Sequence, residues 1–101
     1  MSKFFIKKWE FRIMKFVSTN RFKKDLQRMI KRGNDPEKIK KVIDQLLNME
    51  PLPSKYHNHK LSGNWSGRFE CHIEPDWLLI YIIKENKLIA ERTGTHSDLF
   101  G

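Results

Sequence analysis

The chain has 101 residues, with 20 Lys plus Arg against 12 Asp plus Glu, a net charge of +8 and a single Cys. That length suits one domain with one core, burying roughly two-thirds of its unfolded surface, and Cys71 alone excludes a disulfide framework, a zinc knuckle and a C-x-x-C redox pair. No apolar run approaches the ~18 residues of a membrane span, and Lys3, Lys7, Lys8 and Glu10 interrupt any signal-peptide core, so a soluble cytoplasmic protein without a membrane partner is expected.

Residues 1–13 mix aromatics and lysines without a helical or strand period, and a second methionine, Met14, opens a β-prone stretch. The domain proper is therefore expected over 14–101, with 1–13 an extension or an over-called start. A first strand is placed near Lys15–Val17. Ser18, Thr19 or Asn20 can cap the helix that follows, whose apolar Phe22, Leu26, Met29 and Ile30 fall at i, i+4, i+7 and i+8. Gly33 suits a C′ position that needs positive φ, and Asp35-Pro36-Glu37 reads as cap, first-turn proline and first-turn acid. Ile39, Val42, Ile43, Leu46 and Leu47 then give a second apolar stripe, ended before Pro51.

From Pro51 to Gly67 the periodicity disappears into turn formers, a long loop of the kind that often carries function. Arg68–Ile73 alternates, with Phe69, Cys71 and Ile73 on one face and Arg68, Glu70 and His72 on the other. Glu74-Pro75-Asp76 turns the chain into Trp77–Ile83, apolar enough for a central strand. Lys84–Lys87 turns it again into Leu88–Thr93, and Thr95–Gly101 reads as a short tail. The order βααβββ gives an α+β domain, a two-helix hairpin on one face of a twisted antiparallel sheet. Cys71 points toward the helices and is expected to be a buried, inert thiol.

Charge is unevenly placed. Residues 1–50 carry 14 basic and 6 acidic side chains, whereas residues 51–101 carry six of each. A basic first half favours polyanions, nucleic acid above all, through steering and counterion release. The plainer reading is a solvated, lysine-rich helix face.

Every histidine lies in the neutral half: His57, His59, His72 and His96. His72 and Asp76 flank one strand turn, and Arg92 and His96 lie at the end of the last strand, which hairpin geometry can return to the same sheet edge. Such a set suits phosphodiester cleavage. RNA supplies its own nucleophile, the 2′-OH, so an enzyme needs a base for its proton, an acid for the leaving 5′-oxygen and a cation for the phosphate. Histidine titrates near working pH, and arginine offers planar, bidentate donors. Trp77 can stack a base or fill the core, and His57 reads as a solvated loop residue outside the site. The histidines match no standard metal-ligand spacing, and RNA cleavage of this kind needs none, so no metal or cofactor is expected.

Three blocks are recognisable: His59-Lys60-Leu61-Ser62-Gly63-Asn64-Trp65, then Glu70 to Tyr81 with its H-x-x-P-D-W core, then Glu91-Arg92-Thr93-Gly94-Thr95-His96-Ser97-Asp98-Leu99-Phe100. Together, in order, they resemble the YafQ branch of the RelE/ParE toxins, the toxin halves of bacterial type II toxin–antitoxin systems. The resemblance covers Met14 to Gly101. It implies a RelE-like fold and a ribosome-dependent mRNA interferase, an endoribonuclease that cuts mRNA in the ribosomal A site without a metal and leaves a 2′,3′-cyclic phosphate. By position it implies His96 as general acid, His59 or Asp76 as general base, His72 shaping the site and Arg92 stabilising the phosphate. Phe100 and Trp77 would line or support the site, with Lys60 and Arg68 as further candidate substrate-binding residues. The implied partners are a DinJ/RelB-like antitoxin from the adjacent gene, the 70S ribosome and mRNA, with operator DNA bound only through the antitoxin complex.

Two other readings compete. A toxin of this fold can act without catalysis, through an antitoxin or a protein target such as DNA gyrase, but such a module has no need of the full His/Asp/Arg set. A generic RNA-binding basic domain accounts for the charge and leaves the motif blocks unexplained. Deletion of residues 1–13 is expected to leave a cooperative thermal transition; its loss would show that the domain does not begin near Met14.

Overall fold

Thr19 is the residue that caps the first helix. In the computed structural model, which describes residues 14–101, its Oγ1 accepts from the Phe22 N–H and donates to the Glu91 carbonyl, both at 3.0 Å. The extension proposed for residues 1–13 lies outside the described residues. The elements run β1 (Lys15–Ser18), α1 (Asn20–Lys31), α2 (Pro36–Leu47), β2 (His59–Lys60), β3 (Phe69–Glu74), β4 (Trp77–Lys84), β5 (Lys87–Gly94) and α3 (His96–Phe100), with single 3₁₀ turns at Ser54–Tyr56 and Gly63–Trp65. Between α1 and α2 the chain turns through Gly33 at φ +97, and Asp35 caps α2 by accepting from Glu37 N–H at 2.9 Å.

The α+β class and the two-helix layer are as expected, but the sheet is mixed rather than wholly antiparallel. Its order is β1-β5-β4-β3-β2, and β1 pairs in parallel with β5, Lys15 opposite Lys87 through Ser18 opposite Ala90. The reason is topological. A chain leaving β1 through two helices rejoins the sheet at β2, four places away, and the tightly connected β3, β4 and β5 fill the gap. Glu85 and Asn86 both take positive φ (52 and 62), the backbone of a two-residue hairpin turn whose twist matches its strands. A fifth strand, β2, lies in the segment read as loop and pairs His59 with Glu70.

Between helices and sheet, Phe22, Met29, Ile39, Val42 and Leu46 pack against Cys71, Ile73, Trp77, Leu79, Tyr81, Leu88 and Ala90. Each fully buried aliphatic side chain here contributes about 1.5–3 kcal/mol. Cys71 is fully buried, and desolvation pushes its thiol up to about 12, which suits the inert role expected of it. The opposite face of β4 is covered as well. Leu78 and Ile80 meet Leu99, Leu61 and Trp65 in a second, smaller cluster. The predicted tail is therefore a helix with work to do: α3 buries Leu99 on the sheet.

Two carboxylates lock α1 to the end of β5. Asp25, 5% exposed, accepts from Arg92 Nε at 2.7 Å, Arg92 Nη2 at 3.3 Å and Thr93 N–H at 3.2 Å. Asp98 of α3 accepts from Arg32 Nη1 and Nη2 at 2.7 and 3.1 Å and from Thr95 N–H at 2.9 Å, while Thr95 Oγ1 accepts from Asp98 N–H, closing a capping box. The Arg32 guanidinium, helped by the Thr95 bonds, holds the Asp98 carboxyl well below the usual carboxylate range against the opposing effect of burial. Gly94, at φ +158, completes the junction: a Cβ there would meet Asp98 Cβ at 2.9 Å.

Asp25→Ala is expected to cost about 3–5 kcal/mol in urea denaturation, because it strands a guanidinium that is only 15% exposed. Asp98 is ionised more readily in the folded chain than in the unfolded one, so its contribution is complete above the unfolded value of about 3.9 and fades as pH falls toward the lowered folded value. The melting-temperature difference between wild type and Asp98→Asn should therefore be constant above about pH 5 and shrink progressively below about pH 4.

Candidate functional site

Alternation along β3 turns Glu70 and His72 away from the helices, on the face opposite Cys71. The short β2 then lays His59 directly across from Glu70. Glu70 is buried, and its Oε1 lies 3.4 Å from His59 Nε2 and 3.5 Å from His72 Nε2, so one carboxylate stands between two imidazoles. A register shift between His72 and Glu74 bends the strand end into the Pro75-Asp76 turn.

That turn delivers Asp76 to the first residue of α3. Its Oδ1 accepts from the His96 backbone N–H at 2.9 Å and from the His96 ring Nδ1 at 2.6 Å. The backbone bond first, and then the ring bond, hold the Asp76 carboxyl below its ordinary range, so it is ionised at neutral pH. A carboxylate can only accept, which places the Nδ1 hydrogen toward Asp76 and leaves His96 Nε2 free to meet a ligand. The His96 ring packs edge-on to His72 with centroids 5.8 Å apart. His59, Glu70, His72, His96 and Asp76 thus form one continuous set on a single sheet face.

Two members were not among the candidates drawn from the sequence. His57, read as a solvated loop residue, packs its ring 5.3 Å from that of His72, and its carbonyl accepts from His59 Nδ1 at 2.6 Å. It does so from a left-handed backbone (φ 48, ψ 46), a conformation that costs a non-glycine residue about 1–3 kcal/mol and concentrates at functional sites. Nothing in the local sequence announces that turn. Glu70 could have been found, since the same alternation that exposed His72 placed Glu70 beside it.

The other candidates have structural attachments. Arg92 gives Nε and Nη2 to Asp25, so only Nη1 is without a protein partner among the described residues. Arg68 pairs with Glu91 and lies 5.8 Å over the Trp65 ring. Trp65 in turn meets Phe100 edge-on at 5.5 Å, leaving Phe100 half-exposed. Lys60 sits 6.0 Å over Phe69. Trp77 is buried in the main core and donates Nε1 to Thr93 Oγ1 at 2.8 Å. Among the described residues, no group of three or more His, Cys, Asp or Glu is arranged to hold a metal ion, and no helix is long and apolar enough to cross a membrane.

The arrangement can hold and move protons. The mRNA interferase toxin YafQ of Escherichia coli K12 is 43% identical over 84 residues, covering 82% of this chain and 91% of the relative. A crystal structure of an E. coli DinJ-YafQ complex superposes with a TM-score of 0.79 at 41% identity, over 85% of this chain and 97% of the other. A metal-bound toxin from Helicobacter pylori superposes at 0.82 and 40% identity, over 87% and 100%. The profile of the family described as YafQ, bacterial toxin of type II toxin-antitoxin systems, matches residues 14–101, and the chain belongs to that family.

Proposed function

We propose that this chain is an mRNA interferase that cleaves mRNA on the ribosome. The observation that carries the reading is the double bond from Asp76 to the backbone and ring of His96, beside a run of further histidines on the same face. A base takes the proton of the 2′-OH. The 2′-oxygen then attacks phosphorus, the bond to the 5′-oxygen breaks, and an acid protonates that oxygen, leaving a 2′,3′-cyclic phosphate and a 5′-hydroxyl. His96 Nε2 is the acid, with Asp76 fixing its ring. The base is His59 or Asp76: His59 is oriented by the His57 carbonyl and by Glu70, and Asp76 keeps Oδ2 without a partner among the described residues. His72 shapes the site between them, and Arg92 Nη1 is the donor available to the phosphate.

No step calls for a metal, because the 2′-OH is the nucleophile and side chains move both protons. The basic face of α1, with Arg21, Lys23, Lys24 and Lys31 exposed, suits ribosomal RNA through long-range charge. A DinJ-like antitoxin is the protein partner, supported by the E. coli complex of the related toxin. Operator DNA is reached only through that complex, and the site of action is the cytoplasm.

His96→Gln is expected to lower cleavage of mRNA on purified translating ribosomes by about 10²–10⁴-fold, read by primer extension, with the circular dichroism spectrum retained. Asp76→Asn should lose less than His96→Gln, and wild-type toxin treated with EDTA, then freed of the chelator before it is added to the Mg²⁺-containing ribosomes, should cleave at the untreated rate. Full activity in His96→Gln would sink the acid assignment.

A further inference from the structure

Beside the His57–His72 pair opens a cavity of about 590 Å³ that the cleavage chemistry does not use. Three lysines line it, Lys38 and Lys41 from α2 and Lys55 from the 3₁₀ turn that precedes His57. The one carboxylate in the lining, Glu74, is held by Lys38 Nζ. Lys41 and Lys55 are exposed and have no carboxylate partner among the described residues, and Lys55 lies 5.1 Å from the centroid of the Tyr56 ring. With Glu74 neutralised, the cavity carries two uncompensated positive charges and has room for a small organic group.

His72 gives the cavity its meaning. The same ring packs against His96, centroids 5.8 Å apart, and lines the cavity, so the cavity adjoins the place a scissile phosphate at His96 would take. We infer that this cavity is a subsite for the mRNA nucleotide next to the cleaved bond, with Lys41 and Lys55 receiving its backbone phosphate. The inference rests on the reading of the site as one that cuts mRNA. An acidic peptide of an antitoxin would also meet the two lysines, but the continuity through His72 with the cleaving set favours the substrate strand.

The test compares the wild-type chain with the double variant Lys41→Gln/Lys55→Gln on ribosomes programmed with a defined mRNA. A parallel set of mRNAs carries an uncharged methylphosphonate in place of each phosphate flanking the cut. Both lysines are exposed, so the variant is expected to keep the wild-type melting temperature. It should raise KM roughly tenfold with kcat unchanged, as loss of contacts equally strong in ground and transition states requires. One methylphosphonate should weaken wild type by a similar factor, and combining it with the variant should add nothing further. Multiplying effects would place the lysines on ribosomal RNA instead, and unchanged kinetics with weakened antitoxin binding would place them on a peptide. Either result overturns the inference. Absence of any cut by the wild-type chain would overturn the cleavage reading itself, and is seen before the variant is compared.

Discussion

Asp25 is the contact on which the placement of the site depends. A buried carboxylate must find donors for its oxygens, and here it finds them in Arg92, the Thr93 N–H and Arg28. That draws α1 against the end of β5 where β1 has already stopped. Thr93 passes the constraint on, because its hydroxyl accepts from Trp77 and donates to the Leu78 carbonyl, joining β5 to β4 at the level of the Asp76 turn. Gly94 then releases the chain into α3, and Asp98 returns to Arg32, the residue that ends α1. His96 is thus placed by a helix far from it in sequence and by the two strands that precede it.

This architecture divides the labour among the charges. Of the arginines near the site, Arg68 is committed to Glu91, Arg32 to Asp98, and Arg92 mostly to Asp25. Arginine's rigid fork suits such fixed, part-buried pairs. Apart from Arg92 Nη1, the open donors beside the site among the described residues belong to lysines, compact charges on flexible stems, which suit a strand whose bases vary while its phosphates repeat. The imidazoles, by contrast, are held by one another and by Glu70 and Asp76, so the parts of the site that must be exact are also the parts with the most partners.

Much of this was legible in the residues. The spacing of Phe22, Leu26 and Met29 and of Ile39, Val42 and Leu46 gave both helices, and Asp35-Pro36 and Gly33 gave their ends. Alternation through Phe69, Cys71 and Ile73 assigned the helix side and sent His72 the other way. Periodicity carries no pairing information, however, and so the parallel docking of β1 on β5 was out of reach. β2 is two residues long and has no period at all. α3 was missed although Thr95 and Asp98 spell a capping box, because five residues are too few for an apolar stripe. His57 escaped for a different reason: its place depends on a left-handed turn that neither Tyr56 nor Asn58 signals. Trp77 was left with two roles, and packing chose the core.

Leu99 is the one buried side chain of α3, and five residues cannot sustain a helix without tertiary support. The main core lies on the other side of the sheet and does not depend on it. Opening of α3 is therefore a local event with a smaller free energy than global unfolding. Its amides should exchange with solvent well before those of β4, and His96 should lose its orientation while the rest of the domain is still native. A binding partner that pries α3 loose could silence the candidate site without touching the central sheet.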